Sequence, residues 1–265
     1  MGRTVIVIPA RYASTRYPGK PLAELRDKDG TAKSLIRRSW EAAIAVRGID
    51  HVYVATDDTR IADHVRAFGG DVIMTSEDCA NGTERCADAL KGMDAEPEIV
   101  VNLQGDAPLT PAWFVEELVA AMRAAPQADL ATPVLRCDQE TLDALLADRQ
   151  AGRVGGTTAV FGAGNRAIYF SKEVIPFVDP KHRAAWQDIP VFHHVGCYAY
   201  RPAILRDYTA WPTGPLEHNE GLEQLRFLEQ GRHVLCVEVD AKGRVFWELN
   251  NPEDIPRIEK ALAAL

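Results

Sequence analysis

Cysteine is scarce and scattered in this chain. Cys79, Cys86, Cys137, Cys197 and Cys236 are an odd five with no CxxC pair. Such a set makes neither a disulfide framework nor a zinc site, and reduced thiols packed as small apolar side chains of a cytoplasmic protein are expected. Long apolar runs are missing too. Nothing approaches the roughly 18 residues that a membrane span needs, and the N-terminal run Val5 to Ile8 is too short for a secretory h-region. Positive charge is in deficit: 30 Lys and Arg stand against 38 Asp and Glu, a net charge of −8. Nucleic-acid partners, usually met with a clustered basic face, are therefore not expected. Neither GxxxxGK[ST] nor GxGxxG occurs, so the chain carries no Walker A loop and no dinucleotide fingerprint. There is also no internal repeat, no low-complexity tract and no Gly/Ser/Pro-rich linker.

What is present is an alternation of strands and helices. With 265 residues, 46% of them hydrophobic, the chain can bury a sizeable core. Thr4 to Pro9 is a continuous apolar run, as a strand buried on both faces requires. A helix is predicted over Ser34 to Val46, a strand over His51 to Ala55, a helix over Arg60 to Phe68, a strand over Asp71 to Met74 and a helix over Thr83 to Leu90. A strand over Glu98 to Leu103 and a helix over Pro111 to Ala124 complete the series. This spacing predicts an α/β fold with a Rossmann-like, mostly parallel sheet flanked by helices. Beyond about residue 130 the rhythm changes to strands at Leu130 to Leu135, Thr157 to Phe161, Ala167 to Phe170, His193 to Tyr200 and His233 to Glu238. Fewer helices are expected there, in a smaller β-rich region. The division expected is a nucleotide-binding half over 1–130, an acceptor and dimerisation region over 131–235, and a return to the sheet with a C-terminal helix over 236–265.

The segment after the first strand, Pro9-Ala10-Arg11-Tyr12-Ala13-Ser14-Thr15-Arg16-Tyr17-Pro18-Gly19-Lys20-Pro21-Leu22, concentrates three cations, hydroxyls and a glycine. Open α/β sheets bind ligands outside the carboxyl ends of their strands. Arg11 and Arg16 can grip phosphate oxygens in bidentate fashion, and Lys20 adds a compact point charge. The alternative is a solvated loop with ordinary cations. Asp106, just past the apolar run Ile99 to Leu103, puts a hard carboxylate at a strand end, where Mg²⁺ is suited to one or two carboxylates plus phosphate and water. Its alternative is a turn residue.

These residues also carry a family resemblance. PARYASTRYPGKPL resembles the signature of the CMP-Kdo synthetases, a group of sugar-nucleotide cytidylyltransferases. The likeness continues through Val54 to Asp57, Asn81-Gly82-Thr83-Glu84-Arg85, Asn102-Leu103-Gln104-Gly105-Asp106-Ala107-Pro108, Ala167 to Ser171, His194 to Tyr200, Pro215-Leu216-Glu217 and Leu222 to Arg226. The resemblance implies a Mg²⁺-dependent enzyme that transfers CMP from CTP to a sugar acid and releases pyrophosphate, in a cytoplasmic homodimer serving lipopolysaccharide biosynthesis. It implies that Arg11, Ser14, Arg16 and Lys20 hold the triphosphate, with Arg11, Lys20 and Asp106 as catalytic groups. Thr83, Glu84 and Arg85 would stand near the nucleotide, and Gln104 between nucleotide and sugar acid. Asp106 and Asn250 would be the metal ligands, and His194, Tyr198, Glu223 and Gln224 would meet the acceptor. Tyr198, four residues beyond His194, is expected on the same strand face. Trp186, Trp211 and Trp247 are read as core or interface residues.

Three positions depart from the family pattern. Asn250 stands where an aspartate is usual, Gly152 to Val160 lacks the common Asn-Pro-Asn and lysine, and His193 occupies a place where arginine is frequent. An amide can ligate Mg²⁺ but adds no charge. The acceptor is accordingly open among Kdo, another sugar acid, an amino-sugar acid and a phosphonate, with a catalytically impaired nucleotide-binding paralogue as the further alternative.

Overall fold

Why the first apolar run becomes a strand is plain from its burial. In the computed structural model, which describes residues 2–13, 17–154, 156–179, 181, 188–244 and 247–264, β1 (Thr4–Ala10) has Val5, Ile6, Val7 and Ile8 fully buried. Each such side chain contributes about 1.5–3 kcal/mol on leaving water. β1 is central in a sheet with β4 (His51–Thr56), β5 (Asp71–Met74), β6 (Ile99–Leu103) and β11 (Cys197–Tyr200). β4 and β6 flank β1 in parallel, β5 pairs in parallel with β4, and β11 runs antiparallel to β6.

The helices start where side chains cap them. Ser34 accepts from the Arg37 backbone N–H ahead of α1 (Leu35–Ile44), Asp58 from Arg60 ahead of α2 (Thr59–Ala67), and Asn81 from Glu84 ahead of α3 (Gly82–Ala89). α4 (Ala112–Ala124) follows β6. A hairpin of β2 (Glu24–Arg26) and β3 (Ala32–Ser34), not anticipated from sequence, lies between β1 and α1 and turns through Asp29-Gly30.

The chain divides into two compact units. The first comprises 1–119, 197–209 and 241–265, the second 120–196 and 210–240. The segment 197–209, assigned from sequence to the acceptor region, thus belongs to the first unit. In the second unit β7 (Leu130–Arg136) pairs in parallel with β12 (Val234–Glu238) and antiparallel with β10 (Phe192–His194). β10 pairs antiparallel with β8 (Thr157–Phe161), and β8 with β9 (Ala167–Ser171).

Two sequence expectations need correction. His193 to Tyr200 is not one strand: β10 ends at His194 and β11 begins at Cys197, with Val195-Gly196 turning between them. The two pieces pair with different neighbours, β10 with β7 and β8 and β11 with β6, so Tyr198 does not share a strand face with His194. The stretch beyond 130 is also richer in helix than expected. Asp138 caps the twelve-residue α5 (Gln139–Gln150) by accepting from the Thr141 N–H. α6 (Pro202–Ala210) follows β11. Two short helices, α7 (Pro215–Glu220) and α8 (Gln224–Glu229), lie there, with Gly221 at φ +62° after the first. The C-terminal helix is α9 (Ile255–Leu262). Cys86, Cys137, Cys197 and Cys236 are buried free thiols. No helix among the described residues is long and apolar enough to cross a membrane.

The second unit is anchored by a buried ion pair. Arg226 donates to both Glu217 carboxylate oxygens, at 2.6 and 2.8 Å, and to Thr213 Oγ1 at 3.1 Å. Only 5% of one side chain and 7% of the other is exposed. Removing one partner strands the other charge away from water. Arg226→Met is therefore expected to destabilise the protein by about 3–5 kcal/mol, read as a lower urea midpoint. A change below about 1 kcal/mol would show that the pair is not structural.

Candidate active site

The site is built on the carboxyl ends of β1 and β6. The loop leaving β1 folds back on itself where the Gly19 N–H donates to the Tyr12 carbonyl at 2.9 Å. Gly19 has φ +72°, and a Cβ there would come within 3.1 Å of the Tyr12 ring, so a side chain is strained at this position. A short 3-10 turn, Lys20–Leu22, follows. Arg60 of α2 lies 3.4 Å from the centroid of the Tyr12 ring and holds the other side of the loop.

β6 ends in a turn in which the Ala107 N–H donates to the Gln104 carbonyl at 3.1 Å. Gly105 passes so close to β1 that a Cβ would meet the Pro9 carbonyl oxygen at 2.6 Å, and its own carbonyl accepts from Ser39 Oγ at 3.0 Å. The close approach of the two strand ends brings Lys20 and Asp106 together. Lys20 Nζ donates to Asp106 Oδ2 at 2.6 Å, with 14% and 25% of the two side chains exposed.

Asn250 arrives by a third route. The Leu249 N–H donates to the Asp106 carbonyl at 2.8 Å, which sets Asn250 one residue from that contact. The turn carrying Asn250 is organised by Asp254. Its carboxylate accepts from the backbone N–H groups of Asn250 (2.9 Å) and Asn251 (2.8 Å) and from Trp247 Nε1 (3.0 Å). Asp254 was not singled out from sequence, although Asn251-Pro252-Glu253-Asp254 reads as a capping box, which it forms.

The N-terminus of α3 reaches the same strand ends. A Cβ on Gly82 would stand 3.4 Å from Pro9, 3.6 Å from the Asn102 amide nitrogen and 3.6 Å from Gln104 Oε1. Gln104, half-buried, is thus beside the first turn of α3. Asn102 is fully buried, and neither atom of its amide has a hydrogen-bond partner among the described residues. A buried amide in that condition marks a place for an ordered water or a ligand group.

The three residues at the head of α3 do different things. Thr83 is buried and its hydroxyl is 3.3 Å from the Tyr200 hydroxyl, inside the unit. Glu84 turns back to accept from the Ala80 N–H at 2.9 Å. Arg85, buried, donates to Thr75 Oγ1 (2.6 Å) and to Asp57 (3.2 Å). Asp57, the last residue of the Val54–Asp57 block, is the partner that the sequence reading left without a role.

Of the triphosphate residues expected from sequence, Arg11 is exposed immediately beyond β1. Ser14 and Arg16 lie outside the described residues, as does Trp186. Tyr198, buried on β11 opposite Asn102 of β6, stacks on Tyr200 with ring centroids 5.8 Å apart.

The remaining expected acceptor residues belong to the second unit. His194 is 5% exposed, and its ring nitrogens are 2.9 Å from Thr132 Oγ1 and 3.1 Å from Thr157 Oγ1. Phe170 packs edge-on against it, with centroids 5.0 Å apart. Burial, with His193 as the smaller cause, pushes its pKa down to about 3, so the ring is neutral. Glu223 is half-buried at the start of α8, and Gln224 is buried. Trp211 packs on Phe227 with centroids 6.0 Å apart, and Trp247 stacks under Arg257, as packing residues do.

Similarity to known proteins gives the family. The family model described as cytidylyltransferase matches residues 5–237. A 3-deoxy-manno-octulosonate cytidylyltransferase from Maricaulis maris is 45% identical over 258 residues, covering 97% of this chain and 96% of the relative. One from Chlamydia pneumoniae is 40% identical, covering 98% and 93%. Among solved structures, CMP:2-keto-3-deoxy-manno-octonic acid synthetase complexed with CTP superposes with a TM-score of 0.83 at 33% identity, covering 99% of each chain. The chain belongs to the cytidylyltransferase family, in the group of the 3-deoxy-manno-octulosonate cytidylyltransferases, and is a nucleotidyltransferase.

The state of His194 has a consequence for acid stability. Its folded pKa lies below the ordinary 6.5 of an unfolded chain. Its contribution is complete above 6.5 and is lost as pH falls from there toward the folded value. Between pH 7 and pH 5 the protein is expected to lose about 2 kcal/mol more stability than His194→Gln, measured by urea denaturation at both pH values. Equal losses would show that His194 takes up protons freely in the folded state.

Proposed function

We propose, with that membership as the premise, that this chain transfers the cytidylyl group of CTP to 3-deoxy-manno-octulosonate and releases pyrophosphate, with Mg²⁺ as cofactor. The observation that carries the reading is the Lys20–Asp106 contact at the ends of β1 and β6. It joins a phosphate-seeking cation to a metal-seeking carboxylate where such sheets bind ligands. The named relatives, at 40–45% identity over nearly the full chain, support both substrates.

The donors fit a magnesium ion. Asp106 and the Asn250 amide present hard oxygens, and among the described residues no cluster of three His, Cys, Asp or Glu competes as a metal site. A sparse protein shell suits Mg²⁺, which keeps its waters and takes substrate phosphate oxygens. When bound, the ion neutralises phosphate charge and orients the acceptor.

The chain's own groups do the rest. Arg11 and Lys20 hold the triphosphate, Lys20 leaving Asp106 as the phosphates offer it a stronger anionic partner. In this reading the orphaned Asn102 amide and Gln104 meet the nucleotide side. The acceptor's hydroxyl oxygen attacks the α-phosphorus as the bond to the pyrophosphate oxygen breaks, and the hydroxyl proton leaves to solvent or a bound base. Holding the two reactants in line accounts for most of the acceleration.

The reading includes a homodimer, supported by exposed apolar side chains on the second unit: Ile168 is 62% and Phe177 84% exposed.

Pyrophosphate release from CTP and Mg²⁺, measured against Kdo, an amino-sugar acid, sialic acid and a small phosphonate, tests the assignment. Turnover with Kdo above the others is expected. Turnover with a phosphonate alone, or none with any acid, would reject it. Asp106→Asn is expected to lower kcat about a thousandfold. Asn250→Asp adds a second carboxylate, so the Mg²⁺ concentration giving half-maximal rate should fall by about fivefold. An unchanged Mg²⁺ dependence would place Asn250 outside the metal's shell.

A further inference from the structure

The loop after β1 delivers Lys20 to Asp106, and its base is closed where the Gly19 N–H meets the Tyr12 carbonyl. A backbone hydrogen bond of that kind still hinges, so another contact has to fix the angle of the loop to the sheet. The Lys20–Asp106 pair does so only while no ligand is present, since a triphosphate draws the lysine away. The side chain of Tyr12 is the handle that remains.

That ring is held from outside the loop. The Arg60 guanidinium of α2 rests over it, 3.4 Å from its centroid. The hydroxyl edge of the ring lies against Gly19, where a Cβ would come within 3.1 Å of both Cζ and the hydroxyl oxygen. Arg60 is itself tied down. Its Nε and Nη2 donate to the two carboxylate oxygens of Asp58 at 2.9 and 2.6 Å. Asp58 also accepts from the Arg60 backbone N–H at 2.9 Å, and its own N–H donates to Thr56 Oγ1 at 3.2 Å. Thr56 is fully buried at the end of β4. Contacts thus run from the buried end of β4 through Asp58, Arg60, Tyr12 and Gly19 to Lys20. The fork of Arg60 is engaged by Asp58 and its face by the ring, which leaves it poorly placed to bind phosphate directly. With 58% of its side chain exposed, it also adds little to the core.

We propose that Arg60 is a positioning residue for the nucleotide: through the Tyr12 ring it holds the loop that presents Lys20 to the triphosphate. The proposal rests on the nucleotidyl-transfer reading of the site. A loop ordered before the ligand arrives loses less freedom on binding, and that saving appears as affinity for CTP. Arg60 touches neither reactant, so its effect passes through Tyr12 and Lys20 and leaves the acceptor alone.

Calorimetric titration of the full chain with CTP and Mg²⁺, without acceptor, tests this. Arg60→Met is expected to raise the Kd for CTP about fivefold and Tyr12→Leu about tenfold, as the loss of a partly exposed cation–ring contact and of the ring itself implies. Tyr12→Phe, which keeps the ring, should rescue binding. Arg60→Met should add nothing in a Tyr12→Leu or a Lys20→Met background, as expected of a residue acting through both. In turnover the KM for CTP should rise while the acceptor KM stays put, and the urea midpoint of Arg60→Met should match the parent. A merely structural arginine would instead lower the midpoint and raise both KM values. A Kd for Arg60→Met within about twofold of the parent overturns the proposal, as does the full loss recurring in the Tyr12→Leu background. A parent that takes up no CTP overturns it too. If the parent binds CTP but releases no pyrophosphate with Kdo, the functional reading fails by itself, and the binding comparison still decides Arg60.

Discussion

A lysine and an aspartate 86 positions apart share one contact of 2.6 Å, and most of the first unit can be read as the means of making it. β1 and β6 must lie side by side, in register and parallel, for the loop after one to reach the turn after the other. Gly105 permits the strand ends to close, Gly19 permits the loop to double back, and the Leu249 contact with Asp106 closes the C-terminal segment over the same point. The contact is between opposite charges largely removed from water, so each needs the other while no ligand is present. A triphosphate gives the lysine a better anion, and a divalent metal gives the aspartate a better cation. On the proposed reaction, the resting pair is a neutral placeholder for the triphosphate and the metal.

The second unit follows a different logic. Several of its polar groups are spent on one another: Arg226 on Glu217, and His194 on two threonines. A wall of groups already held in place by one another loses little freedom on binding, which suits the proposed recognition of one acid. His194 shows how such a wall is made. From its residue type it looks like a ligand contact, whereas its burial and threonine partners keep it neutral and fixed in orientation. Direct contact with the acceptor and a supporting role behind it both keep His194 in the site's account, and the acid titration distinguishes a sealed imidazole from an accessible one.

The sheet of the first unit was legible because continuous apolar runs of β-branched residues say the same thing at every level, and its helices because Ser34, Asp58 and Asn81 announce them. The loop after β1 and Asp106 were legible by position and charge together. The break between β10 and β11 was not, since only Gly196 interrupts an otherwise strand-like run, and local pattern does not reveal which neighbours a strand will pair with. α5 was passed over although Asp138 caps it, its leucines being diluted by charged residues. The hairpin at Glu24 to Ser34 is short and polar, and its Asp29-Gly30 turn was the signal available. The supporting residues Asp57 and Asp254 were given no role because each acts through a partner fixed by folding. Asp254 alone had a local signature in the capping box.

The exchange of partners at Asp106 is the claim on which the rest turns, and metal binding reads it without turnover. Mn²⁺ titrated into the nucleotide-free protein, followed by electron paramagnetic resonance, compares the parent chain with Lys20→Met and Asp106→Asn. The account predicts weak binding by the parent, binding at least about tenfold tighter by Lys20→Met, where the carboxylate is released, and none by Asp106→Asn. Equal affinity in all three would show that Lys20 does not hold the metal's place and that Asp106 is not its ligand.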